Sequence, residues 1–137
     1  MDYRAWALLS ALFAGLTALL VKLGVTGVQA NTALAVRVGF VFVFSLMLAF
    51  ATGQASTSGL TKTNWIFLAL SAAATWLSWL CYFRALQGGD VARVAPIDKL
   101  SFVIAMVLGI VFLKEKADAK LAIGAGLIVT GVIITLK

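Results

Sequence analysis

The sequence predicts an all-α integral membrane protein with five transmembrane helices. Hydrophobic residues make up 63% of the 137 positions and charged residues only 12%, whereas a soluble domain usually carries about a quarter charged residues. The apolar residues form five runs, each close to the roughly 20 residues that a helix needs to cross the hydrocarbon core. Lipid offers the backbone no hydrogen-bond partner, so each run must bond within itself as a helix.

Short polar or turn-prone segments separate the predicted spans. The spans cover residues 5–24, 32–52, 64–86, 91–113 and 119–136. The segments between them are Gly27–Asn31, Gly53–Thr63, Gly88–Asp90 and Lys114–Asp118, which are rich in residues that favour turns. Even the longest is too short for a soluble domain, so we expect one five-helix membrane domain over residues 1–137. Four further spans favour a retained first helix over a cleaved signal peptide.

The composition also disfavours several classes of function. The chain has no histidine and a single cysteine, Cys81, so we expect no intrachain disulfide, no metal site and no cofactor. No nucleophile–base pair points to an enzyme. The net charge of +6 could suggest nucleic acid, but the basic residues lie at the ends of apolar runs. That pattern is typical of charges that flank a membrane, so we predict the lipid bilayer, and no nucleic acid, as a partner.

The basic residues are nearly balanced between the two sides of the membrane. With five spans, the N-terminal side carries five of them: Arg4, Lys62, Lys114, Lys116 and Lys120. The opposite side carries six: Lys22, Arg37, Arg84, Arg93, Lys99 and Lys137. Orientation normally follows this difference. Either a hidden signal or a partner fixes the orientation, or copies insert both ways and pair antiparallel, as the halves of an inverted-repeat transporter do.

Several charged residues lie inside the predicted spans. Asp98 and Lys99 are the deepest, just after Pro96, which removes a backbone donor and should loosen or kink the helix. Such residues usually face a cavity or pair with one another, so we predict that Asp98 and Lys99 bind substrate or couple transport. Lys22 and Arg37 lie in the same leaflet as possible further site residues, although Lys22 could instead snorkel to the interface. The excess of positive charge suits a carboxylate-bearing or otherwise anionic ligand.

Two further patterns, one of hydroxyl-bearing residues and one of small residues, repeat with the period of an α-helix. Ser71, Thr75, Ser78 and Tyr82 share one face of the third span beside Trp79. They could line a substrate pocket, or they could be ordinary hydrogen-bonding groups between packed helices. In the last span Ala122, Gly126 and Thr130 form a small-residue face, which predicts close approach of another helix within the subunit or across a dimer.

The C-terminal part of the chain resembles a known family. An aromatic–x–Ala–Leu turn at Tyr82–Leu86 is followed by the V-x-P segment Val94–Pro96, then an apolar helix closed by Glu115, and a Gly-rich last helix over Gly124–Gly131. The chain is thereby similar to the EamA-type domain of the drug/metabolite transporter superfamily, in its short single-domain form. The resemblance implies transport of small metabolites, often export, across the cytoplasmic membrane. It also implies an antiparallel homodimer or pairing with a homologous half.

The preferred hypothesis is therefore a secondary transporter of small metabolites that works by alternating access between inverted subunits. Three alternatives stay open. A small multidrug exporter of organic cations is disfavoured because no acid lies between Trp6 and Val21. The others are a subunit of a lipid-linked sugar flippase and a membrane partner subunit that does not transport.

Overall fold

A computed structural model describes residues 2–136 of the chain, and within that range all regular secondary structure is helical. Lys137, one of the basic residues counted above, lies outside the described residues. The helices are α1 (Tyr3–Val25), α2 (Ala30–Ala51), α3 (Lys62–Gly88), α4 (Val91–Asp98), α5 (Leu100–Leu113) and α6 (Ala119–Thr135). The predicted all-α fold is confirmed.

The helices have the dimensions and exposure of membrane spans. α1, α2, α3 and the stretch Val91–Leu113, which comprises α4 and α5, are each long and apolar enough to cross a bilayer. α6 is apolar but only 17 residues long, about 26 Å at 1.5 Å per residue. In the most apolar part of the four long spans only 6–17% of residues are buried. Apolar side chains exposed on this scale need a lipid environment, so the chain is a multi-pass membrane protein.

Four predicted boundaries are wrong by two residues, about half a turn: α1, α2 and α3 each begin two residues earlier than predicted, and α3 ends two residues later. The sequence predicts loops at Asn31, Lys62–Thr63 and Gly88, but Asn31 lies in the first turn of α2, and Lys62, Thr63 and Gly88 lie in α3. The hydroxyl of Thr61 accepts a hydrogen bond from the backbone N–H of Asn64 at 3.3 Å. A threonine at this position satisfies a helix N–H that would otherwise lack a partner, which explains why the helix begins earlier than hydropathy alone indicates.

The chain divides into two compact units, which are described separately. The α2–α3 unit comprises Leu19–Gln87, so that it also contains the end of α1. Its buried side chains include Leu34, Phe83 and Leu86, exposed by 3%, 2% and 0%. The α4–α6 unit comprises Met1–Ala18 and Gly88–Lys137. In it α6 packs against both α4 and α5.

The fourth predicted span is interrupted. α4 ends at Asp98 and α5 begins at Leu100, and Lys99 forms the turn between them. The N–H of Lys99 reaches back only three residues, to the carbonyl of Pro96 at 3.1 Å, and the N–H of Phe102 bonds Lys99 in the same way at 3.0 Å. Pro96, which the sequence predicts to loosen or kink the helix, lies three residues before the interruption, so the interruption falls on the charged pair itself.

The ends of α5 and α6 are defined by local backbone chemistry. α5 is terminated by Lys114, whose φ of 56° is left-handed, and the N–H of Glu115 then bonds the carbonyl of Gly109 at 3.3 Å. α6 is started by Asp118, whose carboxylate accepts a hydrogen bond from the N–H of Leu121 at 2.7 Å. Both devices satisfy backbone groups at a helix end.

Replacing Asp118 should weaken the start of α6. We expect Asp118→Ala to lower the free energy of unfolding by about 1 kcal/mol, because an N-cap acceptor is lost. Asp118→Asn should lower it much less, because the amide oxygen can still accept the hydrogen bond. Circular dichroism during unfolding in mild detergent measures the change. Asp90→Ala is the matched control, since Asp90 precedes α4 without a side-chain cap bond. Equal destabilisation by both alanine variants would show that the Asp118 cap contributes nothing.

Candidate functional site

In the α2–α3 unit, the guanidinium of Arg37 lies against two aromatic rings of α3. Its Cζ is 4.1 Å from the ring centroid of Trp79 and 5.8 Å from that of Phe83. Trp79 and Phe83 are four residues apart and therefore lie on the same face of α3. Arg37 is half-buried and follows the start of α2 by seven residues, or about 10 Å. The cluster thus lies well inside the span rather than at its end.

The predicted hydroxyl stripe on α3 is only partly enclosed. Tyr82 and Trp79 are half-buried, whereas Ser71, Thr75 and Ser78 are exposed. The helix period indicated correctly that these residues share a face, but it does not indicate what covers that face. Thr75 and Ser78 therefore remain predicted site residues that the α2–α3 unit does not bury.

The turn between α1 and α2 is tied to the C-terminal end of α3 by three side chains. Lys22 Nζ donates to the carbonyl of Leu86 at 2.7 Å, and Gln87 Nε2 donates to the carbonyl of Val28 at 2.6 Å. Arg84 Nη2 donates to Asn31 Oδ1 at 3.5 Å. The last carbonyls of a helix need such donors. Lys22 therefore has a structural contact in addition to its predicted roles in snorkelling or substrate binding.

Sequence reasoning missed Gln87. Its signal was weak: a long amide side chain in the last turn of α3, directly before Gly88 and Gly89. A helix end that lies beside a turn leaves backbone groups of both elements in need of partners, and an amide can supply them. The pairing with Val28, 59 positions earlier, is not visible from sequence spacing.

All the charged residues of the α2–α3 unit are basic. Between residues 19 and 87 the sequence contains Lys22, Arg37, Lys62 and Arg84 but no aspartate or glutamate. No residue of this unit can therefore neutralise Arg37, which rests on aromatic rings. A cation on an aromatic face is stabilised by the ring quadrupole, but less than by a carboxylate.

In the α4–α6 unit, the predicted pair Asp98 and Lys99 sits at the helix interruption. Lys99 Nζ lies 3.5 Å from Asp98 Oδ2, with side chains 38% and 34% exposed respectively. The ammonium also lies 5.1 Å from the ring centroid of Phe102. The pair is thus accessible and overall neutral.

The hydroxyl on the small-residue face of α6 is hydrogen-bonded within the same helix. Thr130 Oγ1 donates to the carbonyl of Gly126 at 2.8 Å, so its polar group is satisfied within α6. Ala122, Gly126 and Thr130 are all exposed. The face is available for another helix, and its role in packing or dimerisation remains a prediction.

Comparison with known proteins identifies the family. The EamA-like transporter family matches residues 4–137. The chain belongs to the EamA-like transporter family. It is also 43% identical over 134 residues to a protein of Sinorhizobium sp described as an uncharacterized transporter in the cobO 3′ region. The match covers 97% of this chain and 95% of the relative. No solved structure matches the chain.

Family membership confirms the resemblance drawn from the C-terminal motifs and extends it over the first helices. An EamA-like chain with multiple apolar helices, similar to a protein described as a transporter, is a membrane transporter. Its charged and aromatic side chains inside the spans are then the residues from which a transport site can be built.

Removing the Lys22 contact should destabilise the α2–α3 unit. We expect Lys22→Met to lower the free energy of unfolding by about 2 kcal/mol, because the buried carbonyl of Leu86 loses a charged donor. Unfolding in detergent measures the loss, with Lys62→Met as the control, since Lys62 is exposed. If the two variants unfold alike, the 2.7 Å contact does not stabilise the turn.

Proposed function

We propose that the chain is a secondary transporter that exports small metabolites across the cytoplasmic membrane. It would work by alternating access in an antiparallel pair of subunits. The observation that carries the proposal is the family match over residues 4–137, on spans that hold half-buried charged side chains. Asp98, Lys99 and Arg37 are the principal ones.

The helix interruption supports a transport role for Asp98 and Lys99. Transporters commonly build substrate and ion sites where a transmembrane helix is discontinuous. Here the break between α4 and α5 falls at Lys99, next to the acid that can exchange a proton or accept a cationic partner. An ionisable residue inside a span is expensive and usually functional.

The antiparallel pair is supported by the charge balance of this chain and by the length of its matched relative. Alternating access in many transporters occurs between two inverted repeats, and this chain carries five apolar helices with nearly equal basic charge on the two sides. The matched relative is also about one such module long, since the alignment covers 95% of it. A homologous half in another chain is the second way to complete the pair.

The first test is export by cells that produce the chain. We expect mass spectrometry of the culture medium to show at least one small metabolite enriched several-fold over cells with an empty vector. Asp98→Asn should abolish most of that enrichment at equal protein level, because a neutral amide cannot ion-pair with Lys99 or take part in proton coupling.

Asp118→Asn is the matched control, because it makes the same chemical change at the N-terminus of α6 and keeps an acceptor for the cap. It should leave export unchanged. Wild-type export by Asp98→Asn would remove Asp98 from the transport path. Media that do not differ between the wild-type chain and the empty vector would contradict export.

A further inference from the structure

Arg37 places a positive charge inside a membrane span, and its own unit contains no carboxylate to compensate that charge. It is half-buried about 10 Å along α2, and residues 19–87 contain no carboxylate. Among the described residues of that unit the guanidinium donates no hydrogen bond; it contacts the rings of Trp79 and Phe83 and interacts electrostatically with Tyr82. A charge in this position is normally compensated by a partner of opposite sign.

The geometry of the stack leaves the guanidinium able to bind such a partner. The Cζ of Arg37 lies over the ring of Trp79, 4.1 Å from its centroid, and an arginine on an aromatic ring commonly stacks with the face of its guanidinium. Its N–H donors lie in the plane, where they match the two oxygens of a carboxylate in a bidentate fork. Stacking also limits the rotamers of Arg37, so less conformational entropy is lost when the fork closes on a ligand.

The other cations inside the spans are less suited to this task. Lys22 and Arg84 donate to Leu86 and Asn31 and hold the α1–α2 turn. In the other unit Lys99 is already paired with Asp98. A single guanidinium matches one monoanionic carboxylate, whereas a doubly charged phosphate usually requires several cations. The aromatic rings beside it suit a ligand with an apolar body.

We propose that Arg37, stacked on Trp79 and Phe83, is the subsite that binds the carboxylate of a small amphipathic substrate. The proposal rests on the transport function proposed above and names its substrate class: monocarboxylates with an apolar or aromatic body. The rings contact the apolar part of the ligand and hold the guanidinium ready for its oxygens.

Trp79 itself reports on the subsite. The test uses the full chain in phosphatidylcholine nanodiscs with Trp6, Trp65 and Trp76 replaced by phenylalanine, so that Trp79 is the remaining tryptophan. The probes are hexanoate and 3-phenylpropionate, each compared with its uncharged amide. We expect a saturable change in Trp79 emission with the carboxylates and none with the amides at equal concentration.

Substitutions then assign the binding to Arg37. Arg37→Gln should weaken carboxylate binding by at least tenfold, and Arg37→Lys should weaken it severalfold because lysine keeps the charge but not the fork. Arg84→Gln, which removes an exposed arginine of the same unit, should change it by less than twofold. Absence of a response to carboxylates, an equal response to the amides, or unchanged binding in Arg37→Gln would overturn the proposal. If Arg37→Gln does not fold, Arg37→Lys decides: wild-type affinity in that variant overturns it.

Two further experiments distinguish a carboxylate subsite at Arg37 from a lipid-headgroup site and from the proposed transport function. Adding phosphatidylglycerol to the nanodiscs should leave hexanoate binding unchanged, and strong competition would assign the subsite to a lipid headgroup instead. Carboxylate binding at Trp79 without any export by cells would keep the subsite and reject the transport function. Export that survives Arg37→Gln but is lost in Asp98→Asn would keep the transport function and reject the Arg37 subsite.

Discussion

The cost of placing charge in hydrocarbon is the constraint on which this structure depends. A charged side chain at the centre of a membrane span is unfavourable by several kcal/mol on insertion scales, on the order of 3 kcal/mol, so each one needs a partner. Lys99 has Asp98 beside it, and Lys22 bonds a helix-end carbonyl. Arg37 has aromatic rings but no carboxylate within its unit. The arrangement of charges therefore separates residues that stabilise the fold from those available to a ligand.

The same solvent determines the secondary structure. Because lipid cannot hydrogen-bond the backbone, long apolar runs become helices irrespective of their intrinsic propensity, and this is why the helices could be predicted from hydropathy to within about two residues. Among the remaining boundary errors are those at Asn31 and Lys62, where polar side chains belong to the first turn of a helix. Local hydrogen bonds such as that of Thr61 decide those positions.

The site was less predictable than the fold because contacts between helices depend on their relative rotation. Depth along each span indicated that Arg37, Asp98 and Lys99 matter, and periodicity placed Trp79 beside Tyr82. Neither showed that Arg37 in α2 meets Trp79 in α3, 42 positions later. Pro96 predicted a loosened helix just before the charged pair, but it did not show that the backbone bonds tighten to three-residue spacing at Lys99. Periodicity likewise gave no indication that Thr75 and Ser78 are exposed in the unit.

If this EamA-like chain pairs with an inverted copy of itself, copies of it must insert into the membrane in both orientations, and labelling of a single loop cysteine measures this. Cys81 is replaced by alanine and Ser58, exposed in the segment between α2 and α3, by cysteine. Intact cells are then labelled with an impermeant thiol reagent before and after permeabilisation. Insertion in both orientations predicts partial labelling in intact cells and complete labelling after permeabilisation. Labelling that is wholly from one side would contradict an antiparallel homodimer.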